Sequence, residues 1–232
     1  MEKIGETEFN LESQVYSLKT AMEIKLSQRI ELLSRSPDPR VLEWIVFILK
    51  EGGVIAYPTD SGFALGCMMG KMPALERIKA IRGLADDHPF TLMCRDLSEV
   101  SEFAKVDTAA FRVLKRHTPG GYTFILEATL DASKKLKMKK KTVGIRIPDH
   151  EIPIKITEAL GEPILSTTLW LPDDESPLKD PDDVSDRLGD QIDLIIFGGY
   201  CGFEQTSVVD LTGNYPIVLR QGSGDISEFQ IE

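Results

Sequence analysis

A short apolar run, Val54 to Tyr57, lies between Gly52-Gly53 and Pro58, and Thr59, Asp60 and Ser61 follow at once. The run reads as a strand, and the reading ends it at Pro58, because proline brings no N–H to a ladder. Three small polar side chains then stand at the strand's carboxyl end, where open α/β sheets bind their ligands. A plain turn with an Asx or Ser/Thr cap accounts for the same residues. The segment alone leaves both readings open.

The rest of the chain supplies partners for such a strand. Asp38-Pro39 starts a helix as N-cap and first-turn proline, and Gly52-Gly53 ends it after Lys50. Further helices are expected over Pro73–Arg82, Asp96–Ala104, Thr108–His117, Ile152–Leu160 and Asp182–Leu188. Further strands are expected over Phe90–Cys94, Tyr122–Ala128, Thr142–Ile147, Ile164–Thr168, Asp193–Phe197, Ser207–Leu211 and Ile217–Leu219. Helix and strand do not alternate strictly, which predicts a mixed α/β sheet rather than a pure doubly wound sheet or a barrel. Residues 1–35 are polar, show no clear strand, and have a candidate helix over Leu18–Leu33. They read as an N-terminal extension to one domain over residues 36–232, and as a surface for a protein partner.

Composition narrows the function classes. At 42% hydrophobic and 28% charged, the 232 residues are ordinary for a globular protein. No apolar run reaches the roughly 18 residues of a membrane helix. Acidic residues at Glu2, Glu6 and Glu8, with no apolar core segment, argue against a secretory or organelle leader. Three well-separated cysteines suit a reducing compartment, so a cytoplasmic location is expected. No Cys or His pair has metal-ligand spacing, and His88, His117 and His150 are scattered. The net charge of −10 argues against wrapping nucleic acid over the whole surface.

The charge is segregated. Lys134 to Lys141 holds six lysines in eight residues, whereas Asp173 to Asp193 holds nine acids and two bases. Such runs are usually solvated faces, but the lysine run is also where an RNA backbone would be steered. Arg82, Arg146 and Arg220 close three different elements. Guanidinium binds phosphate or carboxylate bidentately and stays charged, so three of them can converge on an anion, or serve three unrelated surface ion pairs. Ser61, Thr123, Ser166, Thr167, Thr168, Thr206 and Ser207 fall near strand ends and can wall a polar cavity, although threonine is also common in strands for packing reasons.

Taken together, these segments resemble the YrdC-like, threonylcarbamoyl-AMP synthase superfamily. The pieces occur in order: Gly52–Ser61; Ile81-Arg82-Gly83 with His88-Pro89-Phe90; Thr118–Thr123; Thr142–Pro148; Gly161–Thr168; Gly198-Gly199; Thr206–Leu211; and Leu219-Arg220. Ser61–Gly66, Phe90–Leu97 and Leu165–Leu169 look most like the YciO-like branch. The resemblance implies an open twisted mixed sheet with flanking helices and a large concave cavity. It also implies joining of L-threonine, bicarbonate and ATP into threonylcarbamoyl-AMP, an intermediate of tRNA threonylcarbamoyladenosine modification. ATP and Mg²⁺ would then be substrate and counter-ion, with no tightly bound cofactor and no catalytic nucleophile.

By the same resemblance Thr59, Ser61, Arg146 and Thr206 would hold the threonine and its carboxylate. Arg82, His88, Thr123, Thr168 and Arg220 would hold the nucleotide. The sequence departs from the synthases at two places: Arg82-Gly83-Leu84-Ala85 stands for Lys-Gly-Arg-Pro, and Thr168-Leu169-Trp170 for Ser-Ala-Asn. One basic group and one amide are lost, which predicts a weak or altered synthase. The alternative is a non-catalytic module binding nucleotide or double-stranded RNA, including tRNA.

Overall fold

The computed structural model describes residues 29–32, 37–85, 88–136, 141–199 and 201–229. Its centre is one sheet of ten strands: β1 Arg29–Glu31, β2 Ile55–Thr59, β3 Gly62–Met68, β4 Thr91–Met93, β5 Tyr122–Glu127, β6 Thr142–Arg146, β7 Ile164–Thr168, β8 Leu194–Phe197, β9 Ser207–Asp210 and β10 Ile217–Arg220. The strand order is β1-β8-β2-β3-β7-β4-β6-β5-β9-β10. Four of the pairs are parallel and five antiparallel, so the sheet is mixed as expected. Around it lie α1 Pro39–Lys50, α2 Met72–Arg82, α3 Leu97–Phe103, α4 Thr108–His117, α5 Leu130–Lys135, α6 Glu151–Leu160 and α7 Pro181–Leu188.

Helix starts follow the capping chemistry. Asp38 accepts from Arg40 N–H, Asp96 from Glu99 N–H, and Asp107 from Ala110 N–H. These bonds satisfy first-turn donors that have no partner inside the helix.

Each central strand sends alternate residues to opposite faces. In β2, Ile55 and Tyr57 join one apolar cluster with Leu194 and Ile196 of β8, beneath α1 and α6. Ala56 and Ile195 join the other cluster, shared with α2, α4 and α7. That second layer also takes Leu92, Val143, Ile145, Phe124 and Val209, so it follows the sheet across to β9. The α1–α6 layer reaches only as far as Ile164 and Met93. Beyond it, the same face of the sheet carries the cavity.

Three expectations are corrected. The strand after Gly53 does not end at Pro58; it runs to Thr59 and pairs with β3, Pro58 opposite Phe63. Both backbone groups of Phe63 face the other way, its N–H to Leu178 O and its carbonyl to Leu169 N–H. Pro58 therefore sits at a pair with no ladder bond, and β8 accompanies β2 only at Ile55 and Ala56. The missing N–H costs no bond on either side.

The candidate helix over Leu18–Leu33 fails at its end, because Arg29–Glu31 is a strand parallel to β8. Ile30 and Leu32 are buried and Glu31 is exposed, a period of two. The sheet thus begins before residue 36, inside the proposed extension; residues 1–28 lie outside the described residues. Third, neither β3 nor the short helix α5, Leu130–Lys135, was expected. The fold is otherwise the predicted one, and among the described residues no helix is long and apolar enough to cross a membrane.

Candidate functional site

The cavity lies on the bare part of the sheet face and measures about 280 Å³. Its floor follows the pleat. Ser166 and Thr168 of β7, Thr91 and Met93 of β4, Gly144 and Arg146 of β6, and Thr123 and Ile125 of β5 all line it at a spacing of two. The site therefore spreads over a sheet face, rather than sitting only beyond the carboxyl end of β2 as the sequence suggested. All nine sequence-predicted residues, Thr59, Ser61, Arg82, His88, Thr123, Arg146, Thr168, Thr206 and Arg220, line this one cavity.

The hairpin between β2 and β3 forms one corner. Thr59 Oγ1 donates to Gly62 O at 2.7 Å and accepts from Ser61 N–H at 3.0 Å. Ser61 Oγ lies 3.3 Å from Thr59 Oγ1. Below them Tyr57 O–H donates to Ser166 Oγ at 2.7 Å, and Ser166 Oγ donates to Leu65 O at 3.2 Å. Burial drives the phenol pKa of Tyr57 upward, so it stays a neutral donor. Gly202 holds the corner from outside: a Cβ there would lie 1.9 Å from Asp60 O, too close for any other residue.

Arg146 is buried and forms an ion pair with Asp60 of the same hairpin. Its Nε is buried without a hydrogen-bond partner. Arg220 donates from Nε and Nη2 to Thr206 O at 3.1 and 2.9 Å, and from Nη2 to Thr206 Oγ1 at 3.2 Å. Thr206 Oγ1 in turn lies 2.9 Å from Thr123 Oγ1. Desolvation first, then the neighbouring charge of Arg146, pushes the pKa of Arg220 down. Arg82 ends α2, and desolvation lowers its pKa; its Nε is also buried and unpartnered.

Three guanidiniums and His88 thus face a cavity that, among the described residues, is lined by no carboxylate. Asp60 stands behind Arg146. Buried arginine nitrogens without acceptors are costly, and an anionic guest would relieve that cost with charge-assisted bonds. The cavity can hold a phosphate or carboxylate and neutralise charge on it. No Cys lines it, and burial raises the thiol pKa of Cys201 to about 11 and of Cys67 to about 12.

Among the residues of the site that were not sequence-based candidates, two bear on its chemistry. Asp60 was noted only as one of three small polar residues; its place between Thr59 and Ser61 was the available signal. Trp170 counted as a lost amide, yet it lines the cavity. Leu84 packs against the core and adds no charge to the site.

Known proteins share the family and the fold. The family profile for Sua5, YciO and YrdC, described as "Telomere recombination", matches residues 47–222. Escherichia coli YciO is 50% identical, and its crystal structure superposes with a TM-score of 0.82 over 88% of this chain and 100% of that one. A threonylcarbamoyl-AMP synthase of Vibrio vulnificus is 32% identical over 160 residues, 68% of this chain and 86% of that protein. The structure of Pyrococcus abyssi Sua5 complexed with L-threonine matches at 25% identity with a TM-score of 0.75, covering 84% of this chain and 57% of Sua5.

Proposed function

The chain belongs to the Sua5, YciO and YrdC family, and from that premise we propose that its cavity binds ATP together with L-threonine. On this reading it acts as an altered threonylcarbamoyl-AMP synthase linked to tRNA threonylcarbamoyladenosine formation. The observation that carries the reading is the convergence of Arg82, Arg146, Arg220 and the Thr59–Ser61 corner on one cavity that no carboxylate lines among the described residues.

In the proposed reaction, the threonine amine and bicarbonate condense with loss of water to a carbamate, whose carboxylate oxygen attacks the α-phosphorus of ATP. The bond to the bridging oxygen breaks and pyrophosphate leaves. Both reactants are anions, so the protein's task is positioning and charge neutralisation. Arg146, kept in place by Asp60, would meet the threonine carboxylate or a phosphate. Arg220, fastened to Thr206, would meet a phosphate from the other side. Mg²⁺ would enter with the triphosphate as its counter-ion. Pyrophosphate release that depends on both threonine and bicarbonate is the expected result. No release above a protein-free blank at high protein concentration would reject the synthase reading.

A second reading has its own support. Leu84 supplies no charge, and the indole N–H of Trp170 is already given to Asp174 O at 2.8 Å. A cavity that lacks those two groups can hold nucleotide without transferring it. Calorimetric ATP binding with no threonine-dependent turnover would favour this binding module over the synthase.

A further inference from the structure

Trp170 follows directly on Thr168-Leu169 at the end of β7 and lines the cavity. One hydrogen bond ties it to a turn that is itself braced. Its N–H donates to Asp174 O at 2.8 Å. The turn Leu171-Pro172-Asp173-Asp174 closes with Asp174 N–H on Leu171 O at 3.3 Å, with Pro172 at the second position and Asp173 in the left-handed region at φ 70°. Arg187 of α7 clamps the Asp174 carboxylate with two bonds of 2.9 Å. The turn also sits against the end of α2: a Cβ on Gly83, whose φ is 61°, would lie 3.0 Å from Pro172 Cγ. The tryptophan is therefore pinned beside the element that delivers Arg82.

The chemistry of this arrangement is selective. The only polar atom of the indole is used on the turn, so the ring offers the cavity carbon surface alone. A threonine carboxylate or a phosphate gains nothing from such a surface. A nucleobase does, because its flat face stacks on an immobilised aromatic ring with little further loss of freedom. Charge at Arg82, Arg146 and Arg220, with a fixed ring at the same cavity, suits a molecule that is anionic at one end and flat at the other.

We propose that Trp170 is the specificity-determining residue of this cavity, a platform on which the base of the nucleotide stacks. The proposal rests on the nucleotide reading above. It assigns the preference for nucleotide over bare polyphosphate to this ring.

The two tryptophans of the chain make a direct test possible. Trp44 lies on α1, stacked on Phe47, and is not among the cavity-lining residues. In a W44F protein, Trp170 is the only indole fluorophore. ATP is expected to change its emission, and inorganic tripolyphosphate is expected to bind calorimetrically with a much smaller change. Trp170→Ala should weaken ATP by about tenfold or more and tripolyphosphate by less than about twofold, and Trp170→Phe should recover most of the ATP affinity. Equal losses for both probes, or ATP binding that leaves Trp170 emission unchanged, would overturn the proposal while leaving the nucleotide reading intact. Failure of ATP to bind the unaltered protein would remove the nucleotide reading and the proposal together. Should Trp170→Ala fail to fold, the W44F titration decides alone, since it leaves Trp170 untouched.

Discussion

Arg146 and Asp60 carry much of the site between them. Their pair is buried, so removing one partner strands the other in a poorly solvated place. Arg146→Ala should cut threonine-dependent pyrophosphate release by about tenfold to a hundredfold, the usual worth of a charge-assisted contact. Arg146→Lys keeps the charge but not the fork, and should fall between. Steady-state pyrophosphate assays on both variants check this order. Glu99 offers a different test. It accepts from Arg95 N–H at 2.8 Å and pairs with the Arg95 guanidinium at 3.2 Å, yet burial outweighs both and raises its pKa. A carboxyl raised in the folded state favours the protonated form there. Its relative stabilisation is complete below the unfolded pKa and is lost as pH rises through the folded one. Urea midpoints should therefore show the parent protein losing ground to Glu99→Gln as pH rises above the ordinary carboxylate range. A gap that does not move with pH would rule this out.

Among the elements, helices with a periodic apolar face were legible from sequence, most clearly behind an aspartate cap, while the short, polar α5 behind Thr129 was not. Asp38, Asp96 and Asp107 marked their helices because a side-chain acceptor just before an apolar-periodic stretch meets the free N–H groups of a first helical turn. Asp38→Ala should cost about 1 kcal/mol in thermal or chemical unfolding. β3 was hidden because Gly62–Met68 is buried on both faces and so shows no polar alternation. β1 was hidden because three residues are too few to set a period within a charged stretch. Its contribution is testable by truncation. Chains lacking residues 1–36 should be less stable than chains lacking 1–28 by about 3 kcal/mol, since Ile30 and Leu32 each bury a side chain worth roughly 1.5–3 kcal/mol. Equal stability would mean that β1 adds nothing to the sheet. Gly202→Ala should be among the most damaging single changes, because the added Cβ meets backbone that cannot yield. Both folding and ATP binding should suffer.

For the molecule as a whole, a net charge of −10 coexists with a cavity lined by arginines. The acidic exterior disfavours polyanions that must lie along the surface and leaves the cavity for small ones. The affinity for ATP should fall as salt rises from 50 to 500 mM, on the order of a few-fold, because partly buried charges are screened less than exposed ones. The residues of this site could be read from the sequence, and the family resemblance implied that they share one cavity; residue patterns alone left that convergence open beside three unrelated ion pairs. Arg146 and Arg220 meet because β6, β5, β9 and β10 are neighbours in the sheet, an order that strand patterns do not reveal. Asp60 and Trp170 were noted, but not their roles, because those come from what they touch. Diffraction from crystals grown with ATP, Mg²⁺ and L-threonine tests the account at its centre. Phosphate or carboxylate density within hydrogen-bond reach of both Arg146 and Arg220, beside the Thr59–Ser61 corner, is the result expected. Ligand density on another surface, with this cavity left to solvent, would contradict it.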